Sequence, residues 1–423
     1  MKTRILLIPV LLLLFCSCKG DKCVEKNMTM IVYVAGDNNL SGYINYNLNG
    51  MRLCMDGAVS SENNLIVFVD RHHSNSYMLN INNMRCDTIR RWNENLDSSS
   101  PDVLSMVIDY VRKEYKSRKY GLLMWSHGTG WVPSATHRFI GAEEEHVVFE
   151  SNAGKKRLPV VYDWHNPLNT GGFVSADRNP NPDIRRPFER TRAICANELP
   201  GEFRWMEYDG MADAIPDGMF DIILFDACYM SGAEVAYELR NKTKWMIGSA
   251  VEIMANGFPY QKVTPYFFNG DYVSICREFY NYYYAQRADS RTAGIALMDM
   301  AKLDNLSLAF RDVVVNASVG VDDLYGNIQR TDRFKFPIMF DLFDVAEKLE
   351  PGEACLDRFR KAMDECVVYK KNTQYIVGEL ELKTYCGLNC YVPFSGYEGV
   401  INGFYRNTGW NETAGFYRNV QIE

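Results

Sequence analysis

Six short runs, apolar at nearly every position, constrain the fold more than any other feature of this chain. They are Met28–Ala35, Leu65–Val69, Leu122–Trp125, Ile222–Phe225, Trp245–Ala250 and Ala293–Met298, and most stop beside a Gly, Asp or His. A strand wetted on one face alternates apolar with polar residues. A run that does not alternate must be covered on both faces, as in a mostly parallel sheet flanked by helices. Amphipathic segments lie between the runs. Pro101 to Tyr115 follows a serine cluster, has Pro in its first turn, and sets Val103, Met106, Val107, Tyr110 and Val111 at helical spacing. Ser231 and Glu234 form a capping-box pattern opening a helix that runs to Arg240. Strands alternating with helices predict an α/β class, an α/β/α sandwich. We expect this core over residues 24–302. Residues 303–423, with helical patterns at Phe340–Leu349 and Cys355–Tyr369 and strands at Tyr375–Leu382 and Leu388–Pro393, are expected to form a smaller C-terminal α+β domain.

Residues 137–200 interrupt the rhythm. Six of the 15 prolines fall there, no apolar period survives, and Lys155, Lys156, Arg157, Arg185, Arg186, Arg190 and Arg192 make it basic. A connection that long inside a compact unit is functional or disordered.

At the start, Lys2 and Arg4 precede the apolar stretch Ile5–Phe15 and then Cys16, Ser17 and Cys18. The stretch is too short to span a bilayer and has the layout of a secretory signal. Within residues 1–18, Ser17 before Cys18 resembles a bacterial lipobox, in which Cys18 would become the lipidated first residue once the residues before it are removed. The expected location is outside the cytoplasm, anchored to a bacterial membrane at the outer membrane or cell surface. The competing reading is an ordinary cleaved signal with Cys18 as a bystander. A net charge of −7, with no basic stripe, argues against nucleic acid as a partner. Six histidines, with no HExxH and no paired CxxC, argue against a zinc enzyme.

Two of the apolar runs end in reactive groups. Tyr120–Trp125 runs into Ser126, His127, Gly128, Thr129 and Gly130. Phe220–Phe225 runs into Asp226, Ala227 and Cys228. In an open parallel sheet, sites form beyond the carboxyl ends of the strands, so His127 and Cys228 stand where a base and a nucleophile belong. Gly128 lets backbone approach a substrate, and its N–H, with that of Cys228, could face an oxyanion. Cys228 precedes the expected cap at Ser231, where a helix dipole favours thiolate. These are the parts of acyl transfer to a cysteine. Asp226, two residues before Cys228 on the same strand, would raise the thiol's pKa unless a cationic substrate side chain neutralised it. That predicts cleavage after Arg or Lys.

These segments resemble the clostripain (C11) cysteine peptidases, in the caspase-like clan CD. Val34-Ala-Gly-Asp37-Asn38-Asn39-Leu40 is similar to the family's first-strand motif. Trp125 to Trp131 is similar to its histidine block, and Leu224 to Cys228 to its nucleophile block. Gly387 to Pro393 and Thr408-Gly-Trp410 are similar to its C-terminal signatures. The resemblance implies a caspase-like fold, a dyad of His127 and Cys228, Asp226 as the anchor for basic P1 side chains, and Glu252 and Asn256 in the S1 pocket. Asn256 stands where a second acid is often expected. The resemblance also implies a zymogen that cuts itself between the histidine and cysteine blocks, here 101 residues apart. No cofactor is called for by the residues themselves; some relatives bind calcium and some do not, and no EF-hand pattern occurs. Protein or peptide substrates and a membrane, through the lipid, are the expected partners. The alternative from another class is a catalytically silent surface lipoprotein that binds peptides or a protein partner.

Overall fold

The computed structural model describes residues 25–133, 136, 194–199, 202–287, 290–397 and 401–419. The leader with Cys18, and the insertion apart from 194–199, lie outside the described residues. Each apolar run forms a strand. In chain order the strands are β1 (Lys26–Gly36), β2 (Asn63–Arg71), β3 (Tyr77–Asn82), β4 (Arg85–Arg91), β5 (Ser117–Trp125), β6 (Ile194–Leu199), β7 (Glu202–Met206), β8 (Phe220–Asp226), β9 (Thr243–Gly248), β10 (Gly294–Asp299), β11 (Phe340–Asp341) and β12 (Val367–Asn372). Nine of them make one sheet in the order β12-β10-β9-β8-β5-β1-β2-β3-β4. The five from β9 to β2 are parallel, and both margins are antiparallel. β6 and β7 pair with each other as a separate two-stranded hairpin.

Side chains of β1 divide between two apolar layers because successive residues face opposite ways. Ile31, Tyr33 and Ala35 join one layer, with residues of α3 (Pro101–Glu114), α4 (Tyr208–Ala214) and α5 (Ala233–Leu239). The same layer takes in α7 (Leu303–Val315), α8 (Leu342–Lys348) and α9 (Glu353–Cys366). Met30, Val32 and Val34 join the other, with α1 (Ile44–Leu53) and α6 (Tyr272–Tyr284). The short helix α2 (Gly57–Glu62) closes the α1–β2 connection. Each fully buried aliphatic side chain contributes about 1.5–3 kcal/mol, so the unbroken apolar runs commit these strands to the middle of the sandwich. Residues after 302 are not set apart from it: β12 hydrogen-bonds to β10 at the sheet margin, and α7 and α9 pack in the first layer.

One local expectation is corrected. The helix after the cysteine begins at Ala233, its N-cap is Gly232, and no side chain caps it. The Ser231 hydroxyl instead donates to the Gly387 carbonyl at 2.8 Å, and Glu234 accepts from the Tyr391 N–H at 2.9 Å. Both residues of the anticipated capping box are spent tying the nucleophile turn to the C-terminal segment. The nine described cysteines are all free thiols. Among the described residues no helix is long and apolar enough to cross a membrane.

Candidate active site

Register brings the two reactive groups together. Val34 of β1, Trp125 of β5 and Asp226 of β8 lie in one row across the sheet. His127 and Cys228 each follow that row by two residues, on neighbouring strands, and Asn39 follows β1 by three. Ser126 N–H extends the pairing to the Asp226 carbonyl at 3.3 Å. Gly128 then passes directly over the nucleophile turn. A Cβ at Gly128 would lie 2.5 Å from the Cys228 carbonyl oxygen and 3.1 Å from Ala227 Cβ, so only glycine fits. Gly128 also forms an isolated antiparallel bridge with Ile194, the first residue of β6. The hairpin therefore lies against the histidine turn, where Asn38 Nδ2 donates to the Ala196 carbonyl at 2.7 Å.

Both reactive side chains are held in neutral form. Burial drives the His127 imidazole down to about 3. Its Nε2 is 2.5 Å from Asn39 Oδ1. Burial, opposed by a backbone hydrogen bond, lifts the Cys228 thiol to about 12, with Glu252 and Asp226 adding to the rise and Arg333 reducing it. The helix dipole anticipated from the sequence does not rescue the thiolate, since α5 is only seven residues long and starts five residues after Cys228. The sulfur is occupied by the main chain of Ile253, accepting its N–H at 3.2 Å and donating to its carbonyl at 3.6 Å.

Asp226 ends β8 and is 4% exposed. Its carboxylate lies under the following loop, accepting from the Phe258 N–H at 3.1 Å and the Tyr260 hydroxyl at 2.6 Å. Burial lifts it to about 6 against those two donors. Gly257, at φ +66°, allows this close approach, since a Cβ there would lie 2.3 Å from Asp226 Oδ2. Tyr283 donates to the Gly257 carbonyl at 2.6 Å, which gives the tyrosine cluster of α6 a place under the same loop. Glu252 does not stand open as an anion: Arg333 Nε donates to its two oxygens at 2.9 and 3.1 Å. Arg333 also pairs with Glu379. Asn256 is exposed at the tip of the loop. His127, Gly128, Asp226, Cys228 and Glu252 thus share one end of the sheet. Asn39, Ile253, Tyr260 and Arg333 join them without having been singled out from sequence for a role; only Asn39 carried a signal, through its Asp37-Asn38-Asn39 run.

Among the described residues no three His, Cys, Asp or Glu side chains converge as a metal cage. A cavity of about 450 Å³ lies beside α1 and β2–β4, lined by Arg52, Arg71 and Arg91 but by none of the reactive residues. Its guanidinium groups already donate to neutral acceptors, Asn49 and Met84 O for Arg52, Asn45 for Arg71 and Thr88 for Arg91.

The sequence profile of the clostripain family, peptidase C11, matches residues 32–161 and 182–391. The chain belongs to the clostripain family of cysteine proteases. Clostripain of Hathewaya histolytica is 24% identical over 284 residues, 58% of this chain and 43% of that protein, so the match spans under half of the relative's length. The X-ray structure of an inactive zymogen C11 protease from Parabacteroides distasonis superposes with a TM-score of 0.70 at 27% identity, covering 92% of this chain and 98% of that one. A secreted C11 cysteine protease from Bacteroides thetaiotaomicron, "iotapain", gives 0.71 at 21% identity over 92% and 99% of the two chains, which speaks for the shared fold.

Proposed function

We propose that this chain is a cysteine endopeptidase that cuts after Arg, with Lys next, through Cys228 and His127. The observation that supports the reading is the close approach of the two turns at Gly128, since the segments that bear the thiol and the imidazole both follow the ends of adjacent parallel strands. In the reaction His127 takes the thiol proton and the sulfur attacks the scissile carbonyl. The N–H groups of Gly128 and Cys228 receive the oxyanion. His127 then gives its proton to the leaving amine as the C–N bond breaks, and water hydrolyses the thioester. Asp226 supplies the negative charge for a P1 guanidinium or ammonium. Glu252 and Asn256 form the wall of the same pocket, Glu252 with its charge shared by Arg333.

The uncut chain has the features of a resting form. Thiol and imidazole are neutral, the sulfur is held by Ile253, and β6 leans on the histidine turn directly after the basic insertion. We read the insertion as the site of self-cleavage. The kinship with a relative described as an inactive zymogen supports this. Residues 1–18 are read as a lipoprotein signal and Cys18 as the lipidated residue, placing the enzyme on a bacterial surface.

The test is hydrolysis of matched fluorogenic peptides with Arg, Lys, Asp or Phe at P1 by wild type, Cys228→Ala and Asp226→Asn. Arg and Lys turnover that vanishes in Cys228→Ala and weakens selectively in Asp226→Asn is expected. Equal use of Phe or Asp would overturn the pocket assignment. No turnover of any peptide by chain already cut with trace trypsin would favour the silent, peptide-binding alternative.

A further inference from the structure

We propose that Asn39 is the positioning residue of the histidine, its carboxamide oxygen accepting the Nε2–H of His127 and so leaving Nδ1 as the ring's proton acceptor. This rests on the reading of His127 as catalytic base.

The turn carrying Asn39 is pinned on every side. Asp37 accepts from Asn95 at 2.6 Å and pairs with His72 at 2.9 Å. Asn38, extended at φ −160°, caps the next turn by accepting from the Leu40 N–H at 2.9 Å, and its amide reaches both Ala35 and Ala196. Leu40 is buried in the layer below. Asn39 is thereby presented from the end of β1 toward the end of β5, next to it in the sheet. The contact is 2.5 Å between atoms of two buried residues. An amide oxygen only accepts, so the ring nitrogen opposite must carry hydrogen. A neutral imidazole has one N–H, and placing it on Nε2 leaves the lone pair on Nδ1. The other end of the amide is unmatched: Asn39 Nδ2 is buried with no partner among the described residues. A buried unpaired N–H is unfavourable, so the amide is poorly explained as a stabilising contact and well explained as an orienting one.

An amide also keeps charge away from the ring. Burial depresses the His127 imidazole, and a neutral amide beside it adds no charge that would raise it again. A carboxylate at position 39 would hold imidazolium and tie up the proton that must be passed on. The neutral acceptor fixes the ring's direction and tautomer while leaving it free to cycle.

Three variants of the cut enzyme and one spectrum of the intact chain test this. Asn39→Ala should lower kcat by on the order of 10- to 100-fold with KM within two-fold, the pattern of lost orientation without lost binding. Asn39→Asp keeps the acceptor and should move the acid limb of the kcat/KM profile to higher pH. Long-range ¹⁵N correlation of labelled histidines in wild type should find His127 protonated on Nε2, a readout that does not depend on any variant folding. Wild-type kcat in Asn39→Ala, or an Nδ1–H tautomer of His127, overturns the proposal. So does an equal loss in both variants with an unmoved pH profile, which is what a merely structural residue would give. His127→Ala separates the two levels: if it is active, the dyad reading fails, whereas if it is inactive and Asn39→Ala is normal, only the role of Asn39 fails.

Discussion

Cys228 in the uncut chain should be a slow thiol, and the structure says by how much. Its pKa rises from the ordinary 9.0 to about 12, chiefly through burial. At pH 7.5 that is a roughly thousand-fold smaller thiolate fraction. A more basic thiolate is also a stronger nucleophile, and a Brønsted slope near 0.5 returns about thirty-fold of the loss. The net expectation is alkylation on the order of thirty-fold slower than an unperturbed thiol, before any hindrance from the loop that holds the sulfur. The assay is timed labelling with iodoacetamide at pH 7.5, quenched and read residue by residue by mass spectrometry, with a peptide spanning residues 224–232 as the reference thiol. Cutting the insertion with trace trypsin should release most of the suppression. Labelling of Cys228 in uncut chain as fast as in the free peptide would refute the resting-state reasoning.

Three further outcomes follow from the same geometry. Asp226 carries a folded pKa of about 6 against an ordinary 3.8, so the stability it contributes is full below the unfolded value and lost as pH rises through the folded one. Asp226→Asn should therefore melt progressively higher relative to wild type as pH goes from about 4 to 7, by up to about 3 kcal/mol, and a gap that shrinks over that range would contradict the buried-acid reading. Arg333→Leu leaves Glu252 mostly buried and unpaired and should cost about 3 kcal/mol in denaturant unfolding, with Arg333→Leu/Glu252→Leu recovering most of it; additive losses would refute the pairing. Gly128→Ala drives a methyl group to 2.5 Å from the Cys228 carbonyl and should cut kcat at least ten-fold in a chain that still folds, checked by circular dichroism beside turnover.

What could be read in the sequence follows from which interactions are local. The core strands were legible because burial on both faces leaves no polar alternation, as in β1 and β8, whose residues from Met28 and Phe220 onward are all buried. β4 was not, because its sequence Arg-Cys-Asp-Thr-Ile-Arg-Arg sits exposed at the sheet margin and carries no burial pattern. The placement of His127 and Cys228 at one end of the sheet was legible because each follows the end of such a strand by two residues. The helix cap was misplaced by one residue, Ser231 for Gly232, because Ser231 uses its hydroxyl on Gly387, 156 residues away, a competitor no local pattern reveals. The same holds for Arg333, which reaches Glu252 across 81 residues. Asp226 was visible as an acid beside the nucleophile, but its cover by Phe258 and Tyr260 depends on a loop whose path turns on the positive φ of Gly257.

The most direct measurement is labelling of the trypsin-nicked protein with a peptidyl acyloxymethylketone carrying Arg at P1, followed by mass spectrometry of the adduct. One equivalent on Cys228, abolished in His127→Ala and outcompeted by an Arg substrate, is the predicted result. Adduct spread over other thiols such as Cys86, or undiminished labelling of Cys228 in His127→Ala, would contradict a Cys228–His127 peptidase.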